Sequence, residues 1–269
     1  MHGEKMMKKR LLSSLLALVM CLSLSVSAWA FEESKINQGN DFESSKMSQS
    51  YGKVVLSERT SRDISDKLYL ATFRGAYTYY AANYTHNTSL TQPNGYIMGQ
   101  NSYSSFRLGA ASFKNVGCEV AATYNALRAI GRQPTLPSII RTFEKYGYIL
   151  VEGLAGSDPF AIANYFDSAG VNYVQYAEKA SYSSFKNKVA SNDSNVLAYI
   201  VSFWRNDTKT ALHTVMFTVD SSGHLHAYNR YDSDTTSRTI NSLDNFGVNF
   251  TSKFIVGYAV CRDNRSING

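Results

Sequence analysis

Cysteine is scarce in this chain, with 3 among 269 residues. Small exported domains that rely on a disulfide framework usually contain four or more cysteines. If Cys21 is lost with an export signal, Cys118 and Cys261 remain, which is enough for one bridge or for two free thiols. The sequence therefore does not indicate a disulfide scaffold, and a cysteine in a special sequence context calls for a chemical explanation.

Long apolar runs are also missing, apart from one at the N-terminus. A basic head that ends at Arg10 precedes the apolar run 11–26, and Ala28-Trp29-Ala30 follows with small residues at alternate positions. The run of about 16 residues is shorter than the about 20 that a membrane-spanning helix needs. The alternative of a membrane anchor is therefore disfavoured. The pattern predicts a secretory signal peptide over 1–30, cleaved after Ala30, and a bacterial-type secreted protein without stable membrane insertion.

No charge of one sign dominates the remaining chain. Because four of the 27 basic and one of the 21 acidic residues lie in the first 30, the predicted mature chain carries a net charge of only +3. That excess is too small to indicate a nucleic-acid partner. Residues 31–66 are polar and poor in apolar residues, which predicts a linker or pro-segment before a single domain over 67–269.

Hydrophobic periodicity changes along this domain from helical to strand-like spacing. Aromatic content predicts early strands over 68–73 and 76–84, and apolar residues at helical spacing predict four helices afterwards. The helices are expected over 118–131, 136–147, 158–170 and 183–191, and the later strands over 195–204, 211–220, 223–231 and 253–261. Helices followed by antiparallel strands indicate an α+β fold in which a helical layer packs on a C-terminal sheet.

Cys118 is predicted to begin the strongest of these helices, after a loop formed by Asn115, Val116 and Gly117. The positive end of a helix dipole stabilises a thiolate and lowers its pKa, and the thiolate is the form that acts as a nucleophile. A buried structural cysteine is the alternative interpretation. Glu119, the next residue, is expected to complement the dipole of the first turn.

His213 lies in the predicted strand 211–220, and Asn229 lies in the next one. A three-residue loop that ends in Gly223 would pair Asp220 with His224 and place Asn229 diagonal to His213, whereas a register tighter by two would place them directly opposite each other. Both registers put the two side chains on one face of the hairpin. This arrangement permits an asparagine that orients a histidine. A metal site formed by His213, His224 and His226 is less favoured, because no carboxylate or thiolate is expected to join them.

The order of a cysteine at a helix start, a histidine on a strand and an asparagine on the next strand resembles papain-like cysteine peptidases. GCEVAATYNAL over 117–127 is most similar to the bacterial branch often called C39-like. The resemblance implies a papain-like fold in which Cys118 attacks a carbonyl, His213 transfers protons and Asn229 orients His213. Neither a cofactor nor a metal is implied.

Three features depart from the family pattern, and one of them is Glu119, which follows the cysteine where plant-type papains have tryptophan. The glutamine that family members usually carry six residues before the cysteine is replaced by Ser112, so Ser112 or Asn115 is expected at the oxyanion hole, and Gln100 lies further back. The interval from Cys118 to His213 is also shorter than the roughly 130–150 residues of plant-type enzymes. The resulting prediction is a secreted, monomeric cysteine peptidase that acts on peptides or proteins. A transglutaminase-like enzyme or cell-wall amidase, and a catalytically dead binding module, remain as alternatives.

Overall fold

The computed structural model describes residues 79–177, 179–191, 194–204, 212–230, 236–240 and 254–262. Within these ranges the chain combines helices with an antiparallel sheet, which confirms the predicted α+β class. The predicted signal peptide over 1–30, the linker over 31–66 and the strand over 68–73 lie outside the described residues. No helix in the described ranges is both long enough and apolar enough to cross a membrane.

The first described element is a helix, α1 (Tyr80–Thr88), so the strand predicted over 76–84 is wrong from Tyr80 onward. Tertiary hydrogen bonds explain the difference. Asn83 and Asn87, one helical turn apart, are both buried, and their side-chain amides donate to the carbonyls of Gly109 (2.8 Å) and Arg107 (2.9 Å). Because residues at i and i+4 share one face of a helix, these bonds favour helix over the strand preference of the tyrosines.

A short hairpin of β1 (Arg107–Leu108) and β2 (Ala111–Ser112) leads into two consecutive helices, α2 (Phe113–Val116) and α3 (Cys118–Ala129). Residues 115–116 are therefore helical rather than the predicted loop. Gly117 separates the helices, and a Cβ atom at this position would lie 2.4 Å from the ring of Phe113. Only glycine permits this close approach, and Gly117 therefore fixes Cys118 as the first residue of α3.

Two further helices, α4 (Leu136–Lys145) and α5 (Ala161–Ala169), confirm the helices predicted over 136–147 and 158–170. α4 begins at the predicted residue, and the other three ends are one to three residues shorter. In the turn that precedes α5, Oδ1 of Asp158 accepts a hydrogen bond from the N–H of Phe160 (2.8 Å). The fourth predicted helix is present and longer than expected, as α6 (Lys179–Ala190).

Six strands form one antiparallel sheet in the order β3-β8-β4-β5-β6-β7. Their bounds are β3 (Tyr173–Ala177), β4 (Val196–Trp204), β5 (Leu212–Val219), β6 (Leu225–Tyr228), β7 (Arg238–Ile240) and β8 (Phe254–Cys261). The four later strands of the prediction are confirmed as β4, β5, β6 and β8. The short β3 and β7 were not predicted, and β3 lies between two helices in the chain.

Alternation along the strands divides the core into two parts. Ile200, Met216 and Tyr258 face a cluster that also contains Val120 and Tyr124 of α3. Val201, Phe217 and Ala259 face the opposite cluster, which Phe185 of α6 completes. Within the described residues, the sheet therefore lies between a main helical layer and α6 on its other face.

The hairpin of β5 and β6 has the first of the two predicted registers, in which Asp220 faces His224. Met216 pairs with Tyr228 and Val219 with Leu225, and the N–H of Asp220 donates to the carbonyl of His224 (3.0 Å). The loop ends in Gly223, whose φ of 82° lies in the left-handed region that favours glycine. This register brings the start of β5 beside the residue that follows β6, which is where the predicted site residues lie.

Candidate active site

One cleft of about 240 Å³ brings together most of the predicted site residues. Cys118, His213, Asn229 and Asn115 all line it. The remaining lining residues are Gln100, Asn101, Lys114, Leu212 and Arg230. The cleft lies where the start of α3 meets the start of β5, so two chain segments 95 residues apart supply its thiol and its imidazole.

Cys118 is the first residue of α3, and only 6% of its surface is exposed. Its thiol donates to Oε2 of Glu119 (3.2 Å). Burial raises the pKa of this thiol well above its usual value, and the negative charge and hydrogen bond of Glu119 raise it further, outweighing the backbone N–H of Thr214, which lowers it. The predicted low pKa is therefore wrong for this arrangement, in which the thiol is neutral.

Glu119 is completely buried, contrary to the expectation of a simple complement to the helix dipole. Its Oε1 accepts a hydrogen bond from the Thr214 hydroxyl (3.0 Å), which is itself 2.8 Å from the hydroxyl of Ser202. Burial is the main reason that the pKa of Glu119 rises from 4.5 to about 7. A polar network thus crosses from α3 to β5 and β4 directly behind the thiol, and sequence reasoning missed its central carboxyl group.

The sequence contains one signal that could have identified Glu119. The helix CEVAATYNAL is otherwise formed by small, apolar or neutral residues, and ten of its consecutive positions from Cys118 to Leu127 are buried. A carboxylate inside a continuous buried stretch is rare unless it is paired or functional.

His213 is 4% exposed, and its Nε2 lies 2.7 Å from the backbone carbonyl oxygen of Asn229. A carbonyl oxygen only accepts hydrogen bonds, so Nε2 must carry the hydrogen. In the neutral ring Nδ1 then holds the lone pair that can accept a proton. The ring of Phe203 meets the imidazole edge to face at 5.9 Å and further fixes its orientation.

Asn229 orients His213, but with a different group from the one predicted. The resemblance implies a side-chain amide, whereas the contact comes from the backbone carbonyl. The backbone of Asn229 is left-handed, with a φ of 58°, which asparagine tolerates better than most residues. Its side chain instead holds Gln100: Oδ1 accepts from the backbone N–H (2.9 Å) and Nδ2 donates to the side-chain oxygen (2.9 Å).

The segment 97–100 connects α3 to the histidine side of the cleft. Asn125 of α3 exchanges two hydrogen bonds with the backbone of Ile97, at 2.8 and 2.9 Å. One residue further, the carbonyl of Met98 accepts the N–H of Asn229 (2.8 Å). These bonds tie the helix that carries the thiol to the residue that holds the imidazole.

The two predicted oxyanion-hole candidates have different positions. Asn115 is exposed and lines the cleft. Ser112 lies outside the cleft lining, and its hydroxyl donates to the carbonyl of Ser104 (2.6 Å), so it is no longer a candidate. The amide of Gln100 lines the cleft but donates to the carbonyl of Lys114 (2.7 Å), which gives it a structural partner.

Lys114 and Arg230 bring positive charge to the cleft lining. Away from the cleft, Asp220 lies 3.0 Å from Nε2 of His226 and 3.5 Å from Nδ1 of His224. A carboxylate therefore does join these two histidines, contrary to the sequence expectation. In the part of the chain that the structure describes, however, no group of three or more His, Cys, Asp or Glu is arranged to hold a metal ion.

Comparison with known protein families, with curated proteins and with solved structures finds no match for this chain.

Proposed function

We propose that the protein is a cysteine hydrolase of amide bonds, with Cys118 as the nucleophile and His213 as the general base. The observation that carries this proposal is the shared cleft, which contains a helix-start thiol and an imidazole whose Nε2 is fixed by a carbonyl. Nucleophile, base and orienting group in one opening are the parts that thiol-dependent acyl transfer requires.

The reaction begins when the thiol proton of Cys118 passes to Nδ1 of His213. The thiolate adds to the substrate carbonyl carbon, and the resulting oxyanion accepts hydrogen bonds from Asn115 and the backbone N–H of Cys118. His213 then donates its proton to the leaving amine as the C–N bond breaks. Water, deprotonated by His213, releases the acyl group from sulfur and restores the thiol.

A papain-like peptidase is the family that this arrangement supports best. The order of a cysteine on α3, a histidine on β5 and an asparagine after β6 is the order on which the resemblance rests. The helical layer packed on an antiparallel sheet is consistent with it. With a secreted chain, the expected substrates are extracellular peptides or proteins.

The test incubates the purified protein in parallel with three substrates: casein, casein with an amine donor, and purified cell wall. Cleavage of casein supports a peptidase, whereas amine incorporation or release of stem peptides assigns the same residues to the two alternative reactions. Cys118→Ala and His213→Asn should each lower any turnover at least 10³-fold, because each acts in every chemical step.

Cys261→Ala is the matched control, because Cys261 is the other buried cysteine in the described chain and lies outside the cleft lining. It should retain activity within about twofold of the wild type. Turnover that survives Cys118→Ala overturns the assignment. Folded protein that turns over none of the three substrates favours the binding module.

A further inference from the structure

Two acidic side chains that are adjacent in the sequence meet inside the protein at the start of α3. The sulfur of Cys118 lies 3.2 Å from Oε2 of Glu119, and the carboxyl group has no exposed surface. The proposed reaction requires the thiol to lose its proton but gives no role to the carboxyl group that accepts a hydrogen bond from that thiol. Because the two groups are in contact, the charge of the carboxyl group affects how readily the thiolate forms.

We propose that Glu119 gates the nucleophile: its carboxylate holds Cys118 as a neutral thiol, and its protonated form donates a hydrogen bond to the thiolate. The proposal deepens the proposed function, because it rests on Cys118 as the reacting sulfur. Glu119 is thus a residue that decides when the thiol can react, rather than part of the proton path to substrate.

The effect of Glu119 on the thiol differs between its ionised and its protonated state. When Glu119 is ionised, transfer of the thiol proton to His213 leaves two anions 3.2 Å apart without solvent between them, which opposes the transfer. When Glu119 is protonated, the same S–H bond breaks and the same N–H bond forms. The carboxyl group then carries no charge, and it shares its proton with the new thiolate through a hydrogen bond instead of repelling it.

The surroundings of Glu119 favour its uncharged form. Asp158, in the turn before α5, raises the pKa of Glu119 further through its negative charge, although burial is the larger cause. The contacts from β5 and β4 are the neutral hydroxyls of Thr214 and Ser202. His213 precedes Thr214 on β5, and Lys114 and Arg230 lie in the cleft lining. With a pKa of about 7, the gate opens below neutral pH and closes above it.

The test measures the rate at which iodoacetamide alkylates Cys118 between pH 5 and pH 9, with peptide mass spectrometry separating Cys118 from Cys21 and Cys261. In the wild type this rate should fall as pH rises through 7, because the ionised carboxyl suppresses the thiolate. In Glu119→Gln the fall should be absent. The variant should react at least about tenfold faster than the wild type at pH 8, which corresponds to one pKa unit of the thiol, and within about threefold at pH 5.

Glu144→Gln is the matched control. Glu144 is a second buried carboxyl with a raised pKa, but its partners are Asn83 and the N–H of Gly109, and it lies outside the cleft lining. This variant should keep the wild-type profile. A wild-type rate that rises steadily from pH 5 to pH 9 overturns the gate, whether or not Glu119→Gln folds. A Cys118 that resists alkylation at every pH also overturns it.

The alkylation needs no substrate, so the two proposals can fail separately. A gated rate profile in a protein that hydrolyses nothing overturns the proposed function and leaves the gate intact. If turnover depends on Cys118 but the wild type and Glu119→Gln have the same alkylation profile, the gate is overturned and the proposed function stands.

Discussion

Replacing Glu119 with glutamine should change how the stability of the protein depends on pH. In the folded protein the pKa of Glu119 is about 7, whereas the unfolded chain returns it to about 4.5. Between these two values the folded state binds more protons than the unfolded state, so the free energy of unfolding falls as pH rises. This contribution to stability is fully present below pH 4.5 and is lost as pH rises through 7.

The size of the effect follows from the same pKa gap. At roughly 1.4 kcal/mol for each pKa unit, the gap between 4.5 and about 7 corresponds to about 3 kcal/mol of unfolding free energy. Because Glu119 is completely buried, solvent screening does not reduce this figure in the way it does for surface groups. Glutamine keeps the shape of the side chain and does not titrate.

Urea denaturation at several pH values from 4.5 to 8 is the assay, with wild type and Glu119→Gln measured side by side. Other carboxyl groups titrate in both proteins, so the difference between the two unfolding free energies isolates Glu119. As pH rises from 4.5 to 8, the unfolding free energy of the wild type should fall by about 3 kcal/mol relative to that of Glu119→Gln. A difference that stays constant with pH would refute the reasoning about a buried, proton-binding carboxyl group.

Two further predictions concern the groups around the thiol. Asn229→Gly should keep turnover within about tenfold, because glycine accepts the left-handed backbone and retains the carbonyl that binds His213. Asn229→Val should lower the free energy of unfolding by about 1–2 kcal/mol more than Asn229→Gly does, because a β-branched residue is strained at a positive φ. A loss of 10³-fold or more in a well-folded Asn229→Gly would instead assign the orienting role to the side-chain amide. Asn115→Ala should lower kcat by about 10²–10³, the cost of removing one oxyanion donor, while Ser112→Ala stays within twofold. Equal effects of these two alanine variants in steady-state kinetics would contradict the assignment of the oxyanion hole.

The parts of the fold that the sequence predicts well are those that local rules determine. The hairpin register follows from loop length and a glycine that can adopt a positive φ, and both were readable at 220–224. The start of α3 at Cys118 follows from helical periodicity after a glycine. The hairpin register alone is sufficient to predict that His213 and Asn229 lie on the same side of the hairpin.

The parts that could not be predicted depend on contacts distant in the chain. The tyrosine-rich segment of α1 becomes helical because Asn83 and Asn87 bond backbone groups about 20 residues or more away. The surroundings of Glu119 were misread because the hydroxyl that binds it, that of Thr214, lies 95 residues later in the chain. The backbone carbonyl of Asn229 carries no signature in a sequence, since every residue has one.

The central claim is that Cys118 is the nucleophile, and its most direct test is the mass of the protein when the reaction is stopped during turnover. Mixed with an activated ester or amide at pH 6 and quenched in acid within milliseconds to seconds, the wild type should gain the mass of one acyl group. Fragmentation should place that group on Cys118, and His213→Asn should accumulate far less of it. An acyl group on another residue, or turnover without any acylated Cys118, would contradict the claim that this sulfur is the nucleophile.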